Sequence, residues 1–243
     1  MQASFSYGAT NFSPKRFEKL LNYLTEKKYT FVSLHETEKK LNEKSVLITF
    51  DDGYAHLFEQ LPALMQKYNF KPLIFIPTFY IGNSNSWDYS HAFQKSPHLN
   101  EEQIRELSSE GVDFGSHTHT HRDLKNLSTE ELTSELRISK MILEDITKKE
   151  INTISYPFGQ VDERVISFAE SIGYQYGYTM KFPVQKDRNL SIGRYPIYGF
   201  DTMLNVKQKI NQGIFYHCER IKSIMISKSS TGTDLINKFK NIK

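Results

Sequence analysis

Residues 46–53 read Val-Leu-Ile-Thr-Phe-Asp-Asp-Gly, an apolar run that ends in two adjacent carboxylates and a glycine. Such a run before a glycine-containing turn predicts a buried strand, with Asp51 and Asp52 at its C-terminal end. In barrels of parallel strands, chemistry is carried out at that end. Because neighbouring strand positions point to opposite sides, we expect the two carboxylates to differ in role, one holding a metal ion and the other moving a proton.

A second strand signal ends in histidines, because residues 112–121 read Val-Asp-Phe-Gly-Ser-His-Thr-His-Thr-His. If the chain turns helical after the strand, His117 and His121 lie on one face. If it stays extended, His117, His119 and His121 share one side. In both cases two imidazoles can bind one ion. Two histidines and one aspartate, with positions open for water, form the ligand set of a catalytic site, and such ligands suit zinc, iron, cobalt, nickel or manganese.

Each of these motifs also has a simpler interpretation. An Asp-Asp-Gly sequence after an apolar run is often a solvated turn, and a histidine-rich pentad can be a surface loop that binds metal adventitiously. Here each motif follows its own strand signal, and the two lie about 65 residues apart. Their combination favours a metal site.

Three segments together resemble the signatures of the polysaccharide deacetylase (NodB-homology) family. Thr-Phe-Asp-Asp-Gly at 49–53 is similar to the first signature, His-Thr-His-Thr-His at 117–121 to the second, and Tyr-Pro-Phe-Gly at 156–159 to the third. The resemblance covers about residues 12–215 and implies a distorted, incomplete (β/α) barrel. Gly-Arg-Tyr-Pro-Ile at 193–197 is similar to a stretch of the branch that acts on poly-β-1,6-N-acetylglucosamine.

The resemblance implies a role for each matching residue. Asp51 would be the general base that activates water, Asp52, His117 and His121 would be metal ligands, and the backbone N–H of Phe158 would stabilise the oxyanion. The ion would be a divalent metal, with Zn²⁺ favoured over Co²⁺, Ni²⁺, Mn²⁺ or Fe²⁺. The family removes acetyl groups from N-acetylated, and sometimes O-acetylated, sugars. A divalent ion, a nearby base and a backbone donor all serve amide hydrolysis, which also needs an acid to protonate the departing amine.

Two positions depart from the family pattern. The third signature normally begins with an arginine that orients the base, and here that position is Ser155. Arg194 is the predicted replacement, and the alternative is that Arg194 is a surface cation beside a strand. In many members a late Leu-x-His signature supplies the general acid, whereas residues 224–227 read Ile-Met-Ile-Ser and place Ser227 where the histidine is expected.

The general acid therefore has no evident source. In the poly-N-acetylglucosamine branch the acid histidine belongs to a Tyr-His pair on the first strand, and this chain has no such pair before the helix that opens at Ser13-Pro14. We therefore expect a barrel that lacks its first strand, which would leave an unpaired edge. His91 and His217 are the other candidates for the acid, and each can also be read as a surface residue.

Strand and helix signals alternate along the chain, which favours a parallel sheet covered by helices. Residues 79–99 form a polar insertion with Trp87 and Tyr89, which could stack on a sugar ring or hold the loop against the barrel. The predicted strands and helices are listed together: strands at 31–34, 72–78, 151–157 and 174–179, and helices from Pro14, over 57–68, after Asn100, from Ser128 to about Ile146, and near 163–171.

Composition indicates one globular domain, because the 243 residues are 38% apolar and 24% charged. We expect one catalytic domain over 1–243, with a core at about 12–215 and a Lys-rich segment at 216–243. A net charge of +3 does not favour nucleic acid, so the expected partner is an N-acetylated oligo- or polysaccharide. The sequence does not indicate an oligomeric state, and the single cysteine, Cys218, excludes an internal disulfide.

The sequence also gives an expectation for where in the cell the chain is located. No apolar stretch of 18 residues is present, and no signal peptide follows Met1. As written, the chain is expected in the cytoplasm, and a truncated N-terminus would instead place it in the cell envelope or outside the cell.

Three functions are consistent with these residues. The leading prediction is a metal-dependent enzyme that removes N-acetyl groups from a glycan or amino sugar and releases acetate. One alternative is a carbohydrate-binding pseudoenzyme that lacks the general acid. The other is a metal-dependent amidase or esterase that acts on a small substrate.

Overall fold

The structure is a computed structural model that describes residues 3–7, 14–38, 42–84, 97–183 and 188–227. The strands are β1 Ala3–Tyr7, β2 Thr30–Phe31, β3 Ser45–Phe50, β4 Leu73–Ile76, β5 Asp113–Ser116, β6 Thr153–Ser155, β7 Tyr176–Tyr178 and β8 Tyr195–Ile197. The helices are α1 Pro14–Glu26, α2 His56–Tyr68, α3 Glu101–Ser109, α4 Thr129–Thr147, α5 Glu163–Ile172 and α6 Met203–Asn211. Residues 216–227 are also helical.

The strands form one parallel sheet in the order β7-β6-β5-β4-β3-β1-β8, and β2 pairs with the first residues of β3. A parallel bridge between Tyr178 and Ile192 joins β7 to the segment before β8. The two ends of the sheet are thereby brought together, as the predicted distorted and incomplete (β/α) barrel requires. Because the strands are parallel, their C-terminal ends lie at one rim.

The prediction that the first strand is missing was wrong. β1 lies between β3 and β8 and pairs in parallel with both, with Phe5 opposite Ile48 on one side and opposite Tyr195 on the other. The expected unpaired edge is therefore filled. The absence of a Tyr-His pair does not exclude this strand, because strand pairing needs only backbone hydrogen bonds and a matching register.

The side chains of β3 alternate between two faces, one toward the main core and the other toward the site. Val46, Ile48 and Phe50 pack in the large cluster under the helices, whereas Leu47 belongs to a smaller cluster with Leu73, Phe75 and Tyr178. All six residues of β3 are buried, as expected for a parallel strand covered on both faces. Because side chains alternate, Leu47, Thr49 and then Asp51 follow one another on the same side of the strand.

The helices largely follow their sequence signals. The apolar face of α1 buries Phe17, Leu20, Leu21 and Leu24, and the predicted capping boxes are present at Asn100 and Ser128. β2 is shorter than predicted, because the chain enters a 3₁₀ turn at His35–Glu38. Trp87, Tyr89 and His91 lie outside the described residues. Among the described helices, none combines the length and apolar character needed to cross a membrane.

Candidate metal site

The two carboxylates of the first motif lie in a sharp turn after β3. Asp52 and Gly53 both have left-handed backbone conformations, with φ of 69° and 59°. A Cβ atom at Gly53 would lie 2.2 Å from Cδ1 of Ile76, so the turn requires glycine at that position. The turn separates the directions of Asp51 and Asp52, and both side chains are buried.

A segment that sequence reasoning missed holds this turn in place. The Nδ1 of His98 lies 2.7 Å from the carbonyl oxygen of Asp52, and the N–H of Leu99 donates to the carbonyl of Gly53. The His98 ring lies 4.9 Å from the Tyr54 ring. Burial lowers the pKa of His98 to about 4, although the hydrogen bond to Asp52 opposes the shift. A neutral His98 therefore donates from Nδ1. No sequence motif marks this residue, which lies near the end of the polar insertion at 79–99.

The histidine segment adopts neither of the two predicted conformations. Thr118 and His121 have left-handed φ values of 66° and 60°, so the chain turns after β5 instead of continuing as a helix or a strand. The turn brings the rings of His117 and His121 to 4.8 Å. His119 points elsewhere, with its Nδ1 2.9 Å from Oγ1 of Thr78.

Glu135 of α4, also missed from the sequence, holds the histidine turn. Its Oε2 accepts hydrogen bonds from the backbone N–H groups of His119, at 2.9 Å, and Thr120, at 2.8 Å, and its Oε1 accepts from the Thr120 hydroxyl. Glu135 is buried on the apolar face of α4. A charged residue on such a face is the one sequence signal that could have identified it, because buried charges are almost always partnered.

Asp52, His117 and His121 form a compact cluster. Oδ1 of Asp52 lies 3.7 Å from Nε2 of His117 and 3.5 Å from Nε2 of His121, and the potential ligand atoms all lie within 4.8 Å of one another. Ligand atoms on a tetrahedral zinc lie about 3.3 Å apart, given bonds of about 2.0–2.1 Å. The spacing therefore fits one divalent ion after a small contraction.

The protonation of the two imidazoles also suits a cation. Burial lowers the pKa of His117, and burial together with the neighbouring His117 and His98 lowers that of His121 well below 6.5. Nδ1 of His117 lies 2.7 Å from the carbonyl oxygen of Ser155, so Nδ1 carries the proton. The lone pair of Nε2 then faces Asp52, as a metal ligand requires.

Arg194 holds Asp51 in a buried ion pair. Its two terminal nitrogens each donate to one carboxylate oxygen, both at 2.9 Å. The remaining donors reach Oγ1 of Thr49, Oγ of Ser155 and the carbonyl of Thr179, so the five N–H groups of the guanidinium all have acceptors. Arg194 is completely buried, and the alternative that it is a surface cation is wrong.

Ser155 allows the arginine that binds Asp51 to come from a different segment of the chain. Its hydroxyl accepts a hydrogen bond from Arg194 at 2.7 Å, while its backbone carbonyl binds His117. A small side chain at this position leaves room for the guanidinium, which lies against the rings of Phe75 and Tyr178. The arginine thus reaches Asp51 from the segment just before β8.

Phe158 lies in a 3₁₀ turn, Pro157–Gly159, that follows β6. Its φ and ψ are 58° and 7°, a conformation uncommon for a residue other than glycine. Its ring packs against His121 with the centroids 4.9 Å apart. The structure therefore places the predicted oxyanion residue next to the cluster. Of the two predicted acid candidates, His217 is exposed on the helix at 216–227 and His91 is outside the described residues.

Comparison with known proteins identifies the family of this chain. The family model for polysaccharide deacetylases matches residues 38–177. The chain is 33% identical over 186 residues to YxkH of Bacillus subtilis (strain 168), covering 74% of this chain and 62% of that protein. It is 25% identical to a poly-β-1,6-N-acetyl-D-glucosamine N-deacetylase of Staphylococcus aureus (strain N315), covering 70% of this chain and 61% of the relative. The chain thus spans less than two thirds of these relatives.

Solved structures share the fold. A Streptococcus pyogenes deacetylase, PplD, in complex with acetate superposes with a TM-score of 0.69 at 20% identity, over 86% of this chain and 96% of that one. IcaB from Ammonifex degensii gives a TM-score of 0.69 at 18% identity, over 86% and 95%. The barrel and its rim are those of a deacetylase fold. The family match over more than half of the sequence shows that the chain belongs to the polysaccharide deacetylase family.

Proposed function

We propose that this protein is a metal-dependent hydrolase that removes N-acetyl groups from an N-acetylated glycan or amino sugar and releases acetate. The observation that carries the proposal is the buried cluster of Asp52, His117 and His121 beside Asp51, whose carboxylate Arg194 holds at both oxygens. In this proposal Asp52, His117 and His121 hold the ion, and Zn²⁺ is the preferred candidate. A divalent cation bound there would act as a Lewis acid and supply a nucleophile at neutral pH.

Asp51 is the proposed general base. Its carboxylate is buried and interacts electrostatically with the proposed ligand His117, whose pKa it raises against the effect of burial. Arg194 is the positioning residue, because two parallel N–H···O bonds fix the plane of the carboxylate as a single bond would not. A base that is held in one orientation needs less reorganisation when it accepts the proton of the attacking water.

Phe158 is the proposed oxyanion donor through its backbone N–H. Removing one donor from the oxyanion hole of a serine protease costs roughly 10²–10³ in kcat, which sets the scale for such a group. The position of the Phe158 ring against His121 supports this role, because it keeps the turn next to the ligands. We further propose that residues 1–243 act as one catalytic domain.

The class of substrate follows from the family and from a relative. The S. aureus relative is named for deacetylation of poly-β-1,6-N-acetyl-D-glucosamine, so we propose an N-acetylglucosamine polymer as the first substrate to test. The decisive assay is acetate release from N-acetylglucosamine oligomers by metal-free protein to which Zn²⁺, Co²⁺, Ni²⁺, Mn²⁺ or Fe²⁺ is added in turn.

Each outcome of that assay has one meaning. Metal-dependent acetate release supports the proposal. Metal binding and oligomer binding without acetate release would contradict it and favour the carbohydrate-binding pseudoenzyme. Release only from small acetyl amides or esters would instead favour an amidase or esterase with a small substrate.

A further inference from the structure

The helix at 216–227 reaches the candidate site through its last described residue. The hydroxyl of Ser227 donates to the carbonyl oxygen of Phe158 at 2.7 Å. This helix lies beyond the predicted core of about 12–215, and Ser227 occupies the position at which the family pattern led us to expect a histidine. The structure thus gives this serine a contact with the turn that carries the proposed oxyanion donor.

The direction of this hydrogen bond is fixed by its neighbours. Nζ of Lys125 donates to Oε1 of Gln160 at 3.0 Å, and Nε2 of Gln160 donates to Oγ of Ser227 at 3.0 Å. An ammonium group only donates and a backbone carbonyl only accepts. The chain from Lys125 to Phe158 therefore runs one way, and it directs the single hydroxyl hydrogen of Ser227 to the carbonyl of Phe158.

The turn at Phe158 needs support of this kind. A phenylalanine in the left-handed region is strained, and such a conformation persists only when the surrounding structure over-determines it. The N–H of Gly159 donates to the carbonyl of Tyr156 and closes the turn. Ser227 holds the Phe158 carbonyl from outside. With φ and ψ fixed, the direction of the carbonyl also fixes the direction of the Phe158 N–H.

We propose that Ser227 is a positioning residue that holds the Pro157–Gly159 turn so that the Phe158 N–H faces the developing oxyanion. The proposal rests on the proposed function and deepens it, since it makes the helix at 216–227 part of the catalytic unit. Loss of the hydroxyl would let the turn relax, which would misdirect the donor without removing it.

The test compares three variants of the full chain. Ser227→Ala removes the hydroxyl and Ser227→Thr retains it. Ser223→Ala is the matched control, because Ser223 is a buried serine one turn earlier whose hydroxyl contacts Tyr198 and Met180 but not Phe158. We expect Ser227→Ala to lower kcat roughly tenfold, less than the 10²–10³ for complete loss of a donor, with KM unchanged. Ser227→Thr should restore kcat, and Ser223→Ala should keep it near the wild-type value.

Two results would overturn the proposal: a Ser227→Ala kcat equal to that of the wild type, or an equal loss of kcat in Ser227→Ala and Ser223→Ala. An inactive wild-type protein would instead reject the proposed function. Amide hydrogen exchange then still decides whether Ser227 holds the turn. The Gly159 amide should exchange faster in Ser227→Ala than in Ser223→Ala or Ser227→Thr, and equal rates would refute the positioning role.

Discussion

Two largely buried clusters of charged residues in this molecule differ in the groups that face their carboxylates. Beside α6, Lys209 and Lys222 face Asp201 and Glu219, and each ammonium lies within 3.5 Å of both carboxylates. Two positive groups there balance two negative ones. At the rim of the barrel, Arg194 balances Asp51, but Asp52 faces two imidazoles that burial keeps neutral.

We propose that the difference separates a structural cluster from a functional one. Burying a charge is costly unless it is compensated, and the cluster beside α6 is compensated by its own side chains. The group formed by Asp52 and the two neutral imidazoles instead offers three ligand atoms to a cation. We infer that the first cluster joins helices and that the second is completed by a cation. The predictions below test this contrast, from the largest expected effect to the smallest.

The largest effect is expected for His117→Ala. Removing one of three ligands should abolish tight metal binding and lower acetate release by at least about 10³-fold, since the ion supplies the nucleophile. His119→Ala is the matched control, because His119 lies in the same turn but faces Thr78. Metal content and acetate release should both be measured. Equal effects of the two substitutions would contradict the ligand assignment.

Asp51→Asn should lower the catalytic rate without lowering metal binding. The amide keeps the size of the side chain but cannot accept the proton, so kcat should fall by about 10²–10⁴-fold while the metal content stays at the wild-type level. Acetate release and metal analysis on the same sample provide the measurement. If this variant keeps near-normal turnover, Asp51 is not the base.

Arg194→Lys should show an intermediate effect. Lysine cannot make the paired hydrogen bonds of a guanidinium, so we expect kcat to fall about 10–100-fold with the metal retained. Arg188→Lys is the control, because one terminal nitrogen of Arg188 donates to both carboxylate oxygens of Glu163 at an exposed site. A loss of activity as large in the control would argue against a specific role for Arg194.

Lys209→Met should lower the stability of the protein through the cluster beside α6 and leave catalysis unchanged. Removing one partner of a buried ion pair costs about 3–5 kcal/mol of the free energy of unfolding, whereas kcat per folded molecule should be unchanged. Chemical denaturation gives the first quantity and acetate release the second. Lys67→Met, which breaks an exposed pair with Glu18, should leave the free energy of unfolding nearly unchanged, because solvent screens exposed ion pairs. A catalytic defect in folded Lys209→Met would show that the two clusters are coupled.

His98 should make stability depend on pH. Its folded pKa is about 4 and its unfolded pKa about 6.5, so the unfolded state binds more protons between these values. The contribution of this group to the free energy of unfolding is fully present above pH 6.5. It decreases as the pH is lowered, and the loss is about 2 kcal/mol at pH 5. Denaturation of metal-free wild type and His98→Gln at pH 7 and pH 5 measures the difference. An equal pH dependence in both proteins would contradict the assignment.

The sequence predicted most of the fold because its signals were local. The strands predicted before Asp51 and His117 end at the barrel rim, and the capping residues Asn100 and Ser128 begin their helices. β1 was missed because a short strand with no distinctive motif is defined by its partners, β3 and β8. That information is not local to residues 3–7.

The candidate site divides in the same way. Two compact motifs supply the main residues of the site, Asp51 with Asp52 and His117 with His121. Each pair could therefore be predicted from its own motif. The groups that hold the turns of the site come from distant segments. His98 and Glu135 were found only in the structure, and so was the contact of Ser227 with Phe158. Their roles depend on backbone carbonyls and N–H groups, which are the same at every residue and leave no mark in a sequence.

The central claim is that Asp52, His117 and His121 together bind one divalent cation. Calorimetric titration of Zn²⁺ into chelator-treated protein tests it most directly, with the variant Asp52→Ala/His117→Ala/His121→Ala as reference. We predict one tight site per chain in the wild type and none in the variant. A wild-type protein that takes up no zinc, or a variant that binds it equally well, would contradict the account.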